Sequence, residues 1–333
     1  MNSPADPAKL DALASVALNA LARGRADLAR APIEKLYALL PADSDVAYLH
    51  QCAAIIGFKW PAQRAPHTTT SGPAPDPSSI DVVSFHVDLP QALSGVHLNI
   101  DYLAALALAF ESAQLRAPRA RRILLTDETT AVPPGMKVDE VMRFPMDRNR
   151  LMYERMRVQA AYLERRPASR HSVLVDSDIV VNRDPTPIFA EDFDVGLTWR
   201  GGFPDAPFNG GIIFVSSGEA GLEFFRRSRA CYDAIAENRA IARAIPQDLR
   251  AWWGDQYAIA HVVGYRAFAE RKTDCLAVEG IRVRFFPCSD YNFALEARGY
   301  PMSLLAPKYF LHFKGNLKSN QAKYLDLMRA GKS

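Results

Sequence analysis

Val173-Leu174-Val175-Asp176-Ser177-Asp178-Ile179-Val180-Val181 sets two carboxylates, one residue apart, inside an otherwise apolar, β-branched run. A strand covered on both faces reads as a continuous Val/Ile/Leu run rather than as an alternation. Ionised carboxylates at its end are costly to bury unless they meet a cation or hydrogen-bond donors. Hard oxygen ligands suit Mg²⁺ or Mn²⁺, which commonly share their coordination with substrate phosphates. The run therefore predicts a metal–diphosphate site at the carboxyl end of a buried strand, where open α/β sheets bind their ligands.

On either side of this run, strand and helix alternate. Asp81-Val82-Val83-Ser84-Phe85 reads as a strand, Ile100 to Gln114 as a helix, Arg122 to Asp127 as a second strand and Leu151 to Glu164 as a second helix. Strands are also predicted at Asp194 to Trp199, Gly211 to Val215, Val283 to Phe286 and Tyr309 to His312, and helices at Gly221 to Asn238 and Asp255 to Val263. Such alternation means βαβ units and a largely parallel, Rossmann-like sheet. Three segments are expected: helices over residues 1–59, a linker over 60–79 and an α/β domain over 80–333. The linker is rich in Pro, Ser and Thr, a composition that builds no core. The first segment is similar to one tetratricopeptide-type hairpin, with Gly24, Ala29 and Pro41 at the repeat's turn, small-residue and terminal-proline spacings. Such repeats normally stack, so a lone hairpin reads equally as a helical cap or as a surface for a protein partner.

Bulk composition sets outer bounds. With 333 residues, 49% apolar and 23% charged, the chain has an ordinary globular balance. A net charge of +3 is too mild to indicate a nucleic-acid partner. Arg226-Arg227, Arg229 and the stretch Lys308 to Lys332 read first as solvated faces and second as a contact for an anionic membrane. Cys52, Cys231, Cys275 and Cys288 show no CxxC spacing, which argues against a zinc site or a disulfide framework and for a reducing compartment. Met1 to Lys9 has no apolar signal-peptide core, and the Ala-rich Tyr102 to Phe110 is too short to span a bilayer. The expectation is a cytoplasmic protein, with any membrane contact peripheral and on the inner face.

Two chemistries compete for the aspartate pair. One is a metal-binding DxD. The other is the opening motif of a haloacid-dehalogenase-like phosphatase, D-x-D-x-[TV], which Asp176 to Val180 also fits. The phosphatase needs a later G-D-x-x-x-D. Gly254-Asp255 begins one, but Ile259 stands where the second aspartate belongs. Later runs favour the metal site: Phe208-Asn209-Gly210-Gly211, Gly254-Asp255-Gln256 and His312-Phe313-Lys314-Gly315-Asn316-Leu317-Lys318.

In order and spacing, together with Asp127 and Tyr153 to Arg157, these runs resemble retaining GT-A glycosyltransferases. The nearest likeness is to glycosyltransferase family 8, over residues 80 to 320. The resemblance implies the following roles. Asp176, Asp178 and His312 hold Mn²⁺ or Mg²⁺. Gly315 and Lys318 close on the diphosphate of a nucleotide sugar, and Lys318 offsets charge on the leaving group. Arg155 and Ser177 lie near the sugar nucleotide, and Asn209 near its sugar. Asp255 and Gln256 stand beside the anomeric carbon and sugar hydroxyls. Asp88 and Asp127 approach the base or ribose. Two departures stand out. Ser319-Asn320 replaces a common Pro-Trp, and Gly210 stands where the family has Ala, which widens the sugar pocket. The implied activity is metal-dependent retaining transfer from a UDP-sugar to a glycan, lipid-linked or protein acceptor. The alternatives are the phosphatase and a helical-repeat scaffold whose glycosyltransferase domain is vestigial.

Overall fold

The computed structural model describes residues 6–22, 26–40, 62–63, 75–88, 101–200, 208–237, 254–263, 275–278, 280–295 and 300–330. Two helices, α1 (Pro7–Ala22) and α2 (Ala26–Leu39), come first and bury Ala17, Ala20, Ala29, Ile33 and Leu36. Gly24 and Pro41, on which the tetratricopeptide reading depends, lie outside the described residues, as do Cys52 and most of the linker. The linker does supply the two-residue strand β1 (Ala62–Gln63), which pairs with a later strand.

The central sheet has nine strands. After β1 these are β2 (Ile80–Phe85), β3 (Arg121–Asp127), β4 (Glu140–Phe144), β5 (His171–Val175), β7 (Val195–Trp199), β8 (Phe208–Val215), β9 (Cys275–Val278) and β10 (Ile281–Pro287). Their order is β1-β9-β10-β7-β8-β5-β2-β3-β4. The pairs β5/β2, β2/β3, β3/β4 and β10/β7 are parallel. Only β8 and β9 run against the rest, so the sheet is mainly parallel as expected. The predicted helices between strands appear as α3 (Tyr102–Arg116), α4 (Leu151–Arg165), α5 (Ala220–Glu237) and α6 (Gly254–Val263). Asp101 starts α3 by accepting the Ala104 N–H at 2.8 Å, which satisfies one of the helix's orphan donors. The sequence reading missed β1, the partly exposed β4, the short β9 and, near the C-terminus, one strand and three helices given below.

The Val173–Val181 run is two strands, not one. β5 ends at Val175, and after a three-residue turn β6 (Ile179–Val181) joins a separate three-stranded sheet of order β11-β12-β6. In that sheet β11 is Phe293–Leu295 and β12 is Phe310–Phe313. Short helices α7 (Cys288–Tyr291) and α8 (Met302–Leu305) connect these strands, and α9 (Gln321–Arg329) closes the described chain. Hydrogen bonding forces the break. Asp176 N–H still bonds Gly211 C=O on β8 at 2.9 Å, whereas Phe313 N–H on β12 bonds Asp178 C=O at 2.9 Å. The carboxylates thus mark the point where the chain leaves one sheet for the other.

Both faces of the large sheet are covered, which accounts for the apolar runs. Leu174 packs in the cluster holding Met156 and Tyr162 of α4, while Val173 and Val175 pack in the cluster of Ala113, Phe214 and Phe310. Each such buried side chain contributes about 1.5–3 kcal/mol. The second cluster is aromatic: Phe214 and Phe286 meet edge-on with centroids 5.1 Å apart, and Tyr291 stacks on Tyr309 at 5.0 Å. Within the basic runs, Arg226 pairs with Glu164 at 3.2 Å and Lys308 with Asp290 at 2.8 Å. No helix among the described residues is long and apolar enough to cross a membrane.

Candidate active site

The turn between β5 and β6 brings together residues from five further segments. Asp176 and Asp178 come from the turn itself and His312 from β12, and one ligand atom from each lies within 4.8 Å of the other two. Among the described residues this is the group of metal-ligating side chains dense enough to hold an ion. Two carboxylates and an imidazole suit Mn²⁺ or Mg²⁺. The His312 ring also fits such an ion: its Nε2 faces Asp178 Oδ1 at 3.3 Å. An Nε2–H donor or a shared cation would satisfy both atoms.

Two cations flank the cluster. Lys318, on the 3₁₀ turn Gly315–Asn320, places Nζ 2.6 Å from Asp178 Oδ2. Gly315 opens that turn at φ +53°, a left-handed value that glycine adopts without a steric penalty. Arg155, from α4, is buried. It places Nη1 2.8 Å from Asp176 Oδ1 and Nε 3.6 Å from Asp255 Oδ2, and it donates to the Gly210 carbonyl. Burial opposes charge on Asp178, but His312 and Lys318 outweigh it and hold its carboxyl well below the usual range. Asp255, at the start of α6, goes the other way. Burial raises its pKa, and Arg155 offsets that only in part. Gln256 follows it and accepts the Gly210 N–H through Oε1 at 3.2 Å, which leaves its amide NH₂ as the group to offer a ligand. Asn209, buried on β8, accepts the Gly211 N–H at 2.9 Å. Ser177 sits half-buried between the two aspartates.

Asp88 and Asp127 form a second cluster at the carboxyl ends of β2 and β3. Buried His86 meets Asp88 Oδ1 through Nε2 at 3.1 Å, and Asp88 N–H donates to Thr130 Oγ1 at 2.9 Å. Asp127 accepts from Thr130 N–H at 2.7 Å, from Thr129 Oγ1 at 3.2 Å and from Arg148 Nε at 2.7 Å. Its carboxylate is therefore engaged, and Arg148 is the more exposed partner of the pair. Burial pushes the Asp127 carboxyl up, but the Thr130 and Arg148 hydrogen bonds prevail and bring it from 3.8 to about 2. A carboxyl lowered on folding stabilises the fold above its unfolded value, and the effect is lost as pH falls through the folded value. Asp127→Asn should therefore melt lower than the parent at pH 6, with the gap closing between pH 4 and 2. A gap that persists unchanged at pH 2 would refute the electrostatic account.

Sequence reasoning missed Arg148, Thr198 and Asn292. None sits in a recognisable motif, and their roles come from contacts across the fold. Ile259, where a phosphatase would need its second aspartate, is buried in the core. Trp252 and Trp253 lie outside the described residues.

No protein-family model and no curated protein sequence matches the chain. Solved structures do. A glycosyltransferase involved in glycosylating the major capsid protein of PBCV-1 aligns at TM-score 0.43 and 14% identity, over 74% of this chain and 98% of that one. The galactosyltransferase LgtC, solved with donor and acceptor sugar analogues, aligns at TM-score 0.44 and 11% identity, over 75% of this chain and 95% of that one. Likeness at this level identifies no reaction, and function has to be read from the side chains.

Proposed function

We propose that the protein is a metal-dependent retaining glycosyltransferase that takes a sugar from a nucleotide-diphosphate sugar, a UDP-sugar by its resemblance, and passes it to a glycan, lipid-linked or protein acceptor. The observation that carries the proposal is the convergence of Asp176, Asp178, His312, Lys318, Arg155, Asp255, Gln256 and Asn209 on one place at the carboxyl edge of the sheet. Fold-independent chemistry then assigns the roles.

Asp176, Asp178 and His312 would hold the ion, which when bound supplies Lewis-acid stabilisation of the departing diphosphate. Lys318 is a point charge already beside Asp178, suited to meet a phosphate oxygen and offset the charge that builds there. Arg155 is fixed by three contacts and acts as a rigid post that holds Asp176 and Asp255 at set positions. Asp255 and the Gln256 amide offer oxygen and N–H groups to an oxocarbenium-like sugar and its hydroxyls. Asp88 offers an acceptor for the base. Arg148 presents the cation at the outer end of the nucleotide site.

The test is a screen of UDP- and GDP-sugars for Mn²⁺-dependent hydrolysis by the full chain, with calorimetry of UDP binding alongside. Slow hydrolysis of a UDP-sugar that stops with EDTA is the expected result. Turnover of an aryl phosphate with no UDP binding would point to the phosphatase instead. Absence of any Mn²⁺–UDP binding would leave the scaffold reading.

A further inference from the structure

His312 is held from behind. Its Nδ1 lies 3.0 Å from Asn292 Oδ1 and 3.5 Å from Asn209 Nδ2. The shorter contact decides the proton's place, because an oxygen and an unprotonated nitrogen at 3.0 Å would repel each other, whereas 3.5 Å is beyond a good N–H···N bond. The direction of the whole chain follows from a group that can only accept. Thr198 Oγ1–H donates to the Asn209 carbonyl at 2.8 Å, so the Thr198 oxygen accepts from Asn292 Nδ2 at 2.9 Å. Asn292 therefore has no choice of flip, and Oδ1 is the atom it turns to the ring. Asn292 is fully buried, as is Thr198, so water does not compete for these bonds.

We infer that Asn292, set by Thr198, is a positioning residue that keeps the proton of His312 on Nδ1 and so presents Nε2 to a divalent cation beside Asp178. This rests on the metal reading above and extends it to residues that no motif marks. Loss of an outer partner of a ligating histidine typically weakens metal binding by about 10–100-fold. Thr198 is in turn anchored on β8, its hydroxyl 2.8 Å from the Asn209 carbonyl and 3.3 Å from that of Ile212.

The test compares Asn292→Leu, Asn292→Asp, Thr198→Val and His312→Ala in the full chain. Mn²⁺ affinity is read by calorimetry, and melting temperature is read separately in EDTA. Asn292→Leu removes the acceptor and should weaken Mn²⁺ about 10–100-fold. Asn292→Asp keeps an acceptor for Nδ1–H and should stay within a few-fold of the parent. In EDTA the order should reverse, because Asp buries an unneeded charge and Leu does not. A purely structural Asn292 would give the same order in both measurements, which would overturn the inference. Thr198→Val preserves shape and should weaken Mn²⁺ several-fold, and unchanged affinity in that variant would also overturn it. Unchanged Mn²⁺ affinity in His312→Ala would instead remove the metal reading underneath.

Discussion

Asp178→Asn and Asp176→Asn should each lower sugar transfer by about 10³-fold and abolish Mn²⁺-dependent UDP binding, with the fold intact. Asparagine keeps the shape and one oxygen of each side chain but removes its charge. At position 178 that leaves Lys318 Nζ, now 2.6 Å from a carboxylate, facing a neutral amide. At position 176 it removes the partner of Arg155 Nη1 at 2.8 Å, while Asp255 still engages the same guanidinium. Neither change disturbs the backbone bonds that pin the turn, Asp176 N–H to Gly211 and Phe313 N–H to Asp178 C=O. Circular dichroism and melting in EDTA should therefore resemble the parent, while calorimetry loses the Mn²⁺ dependence. Wild-type Mn²⁺ dependence in either variant would end the metal assignment.

Gly211→Ala should be nearly as damaging without touching a charged group. A Cβ there would lie 2.9 Å from His312 Cε1, 3.0 Å from Asp176 Oδ2 and 3.1 Å from Asn209 Oδ1. None of these atoms can withdraw cheaply. Asn292 holds the imidazole, Arg155 holds the carboxylate, and the Gly211 N–H itself holds Asn209 Oδ1. One methyl group thus drives apart two of the three candidate ligands. A misplacement of about 1 Å costs about 10²-fold in such sites, and overpacking of this kind costs about 1–3 kcal/mol of stability. Gly210→Ala is the control. Its Cβ would meet Gln256 Cγ at 2.9 Å and comes near none of the three candidate ligands. That variant should keep Mn²⁺ affinity and change sugar preference. Equal Mn²⁺ affinity in Gly211→Ala and the parent, by the same calorimetry, would contradict the packing argument.

The large sheet was legible because its strands are apolar on both faces, and the period of the intervening helices is plain. Two things hid the rest. β6, β9 and β11 are each four residues or fewer, too short to show a period. β4 is partly exposed and carries Glu140 and Arg143. The Val173–Val181 run misled for a related reason: composition records that both halves are buried, but not that they are buried in different sheets. In the site, most residues read from a motif carry a charge or a side-chain amide, the groups that would face a ligand. Asn292 and Thr198 offer theirs to another side chain. That kind of role depends on β7 meeting the junction between α7 and β11 in space, and 94 residues of sequence separate the two partners.

The sheet switch at Asp176–Asp178 also sets a timetable. Asp176 takes its backbone partner from β8, but Asp178 takes both its backbone partner and its two side-chain partners from Phe313, His312 and Lys318. During synthesis from the N-terminus, β2, β3 and β5 are complete more than a hundred residues before those partners exist. Until residue 318 has emerged, Asp178 lacks all three of these partners, whereas Asp176 already has Gly211 and Arg155. The last strand and turn supply the counter-charge and the third candidate ligand together, so a capacity to bind a cation at this group would arrive in one late step.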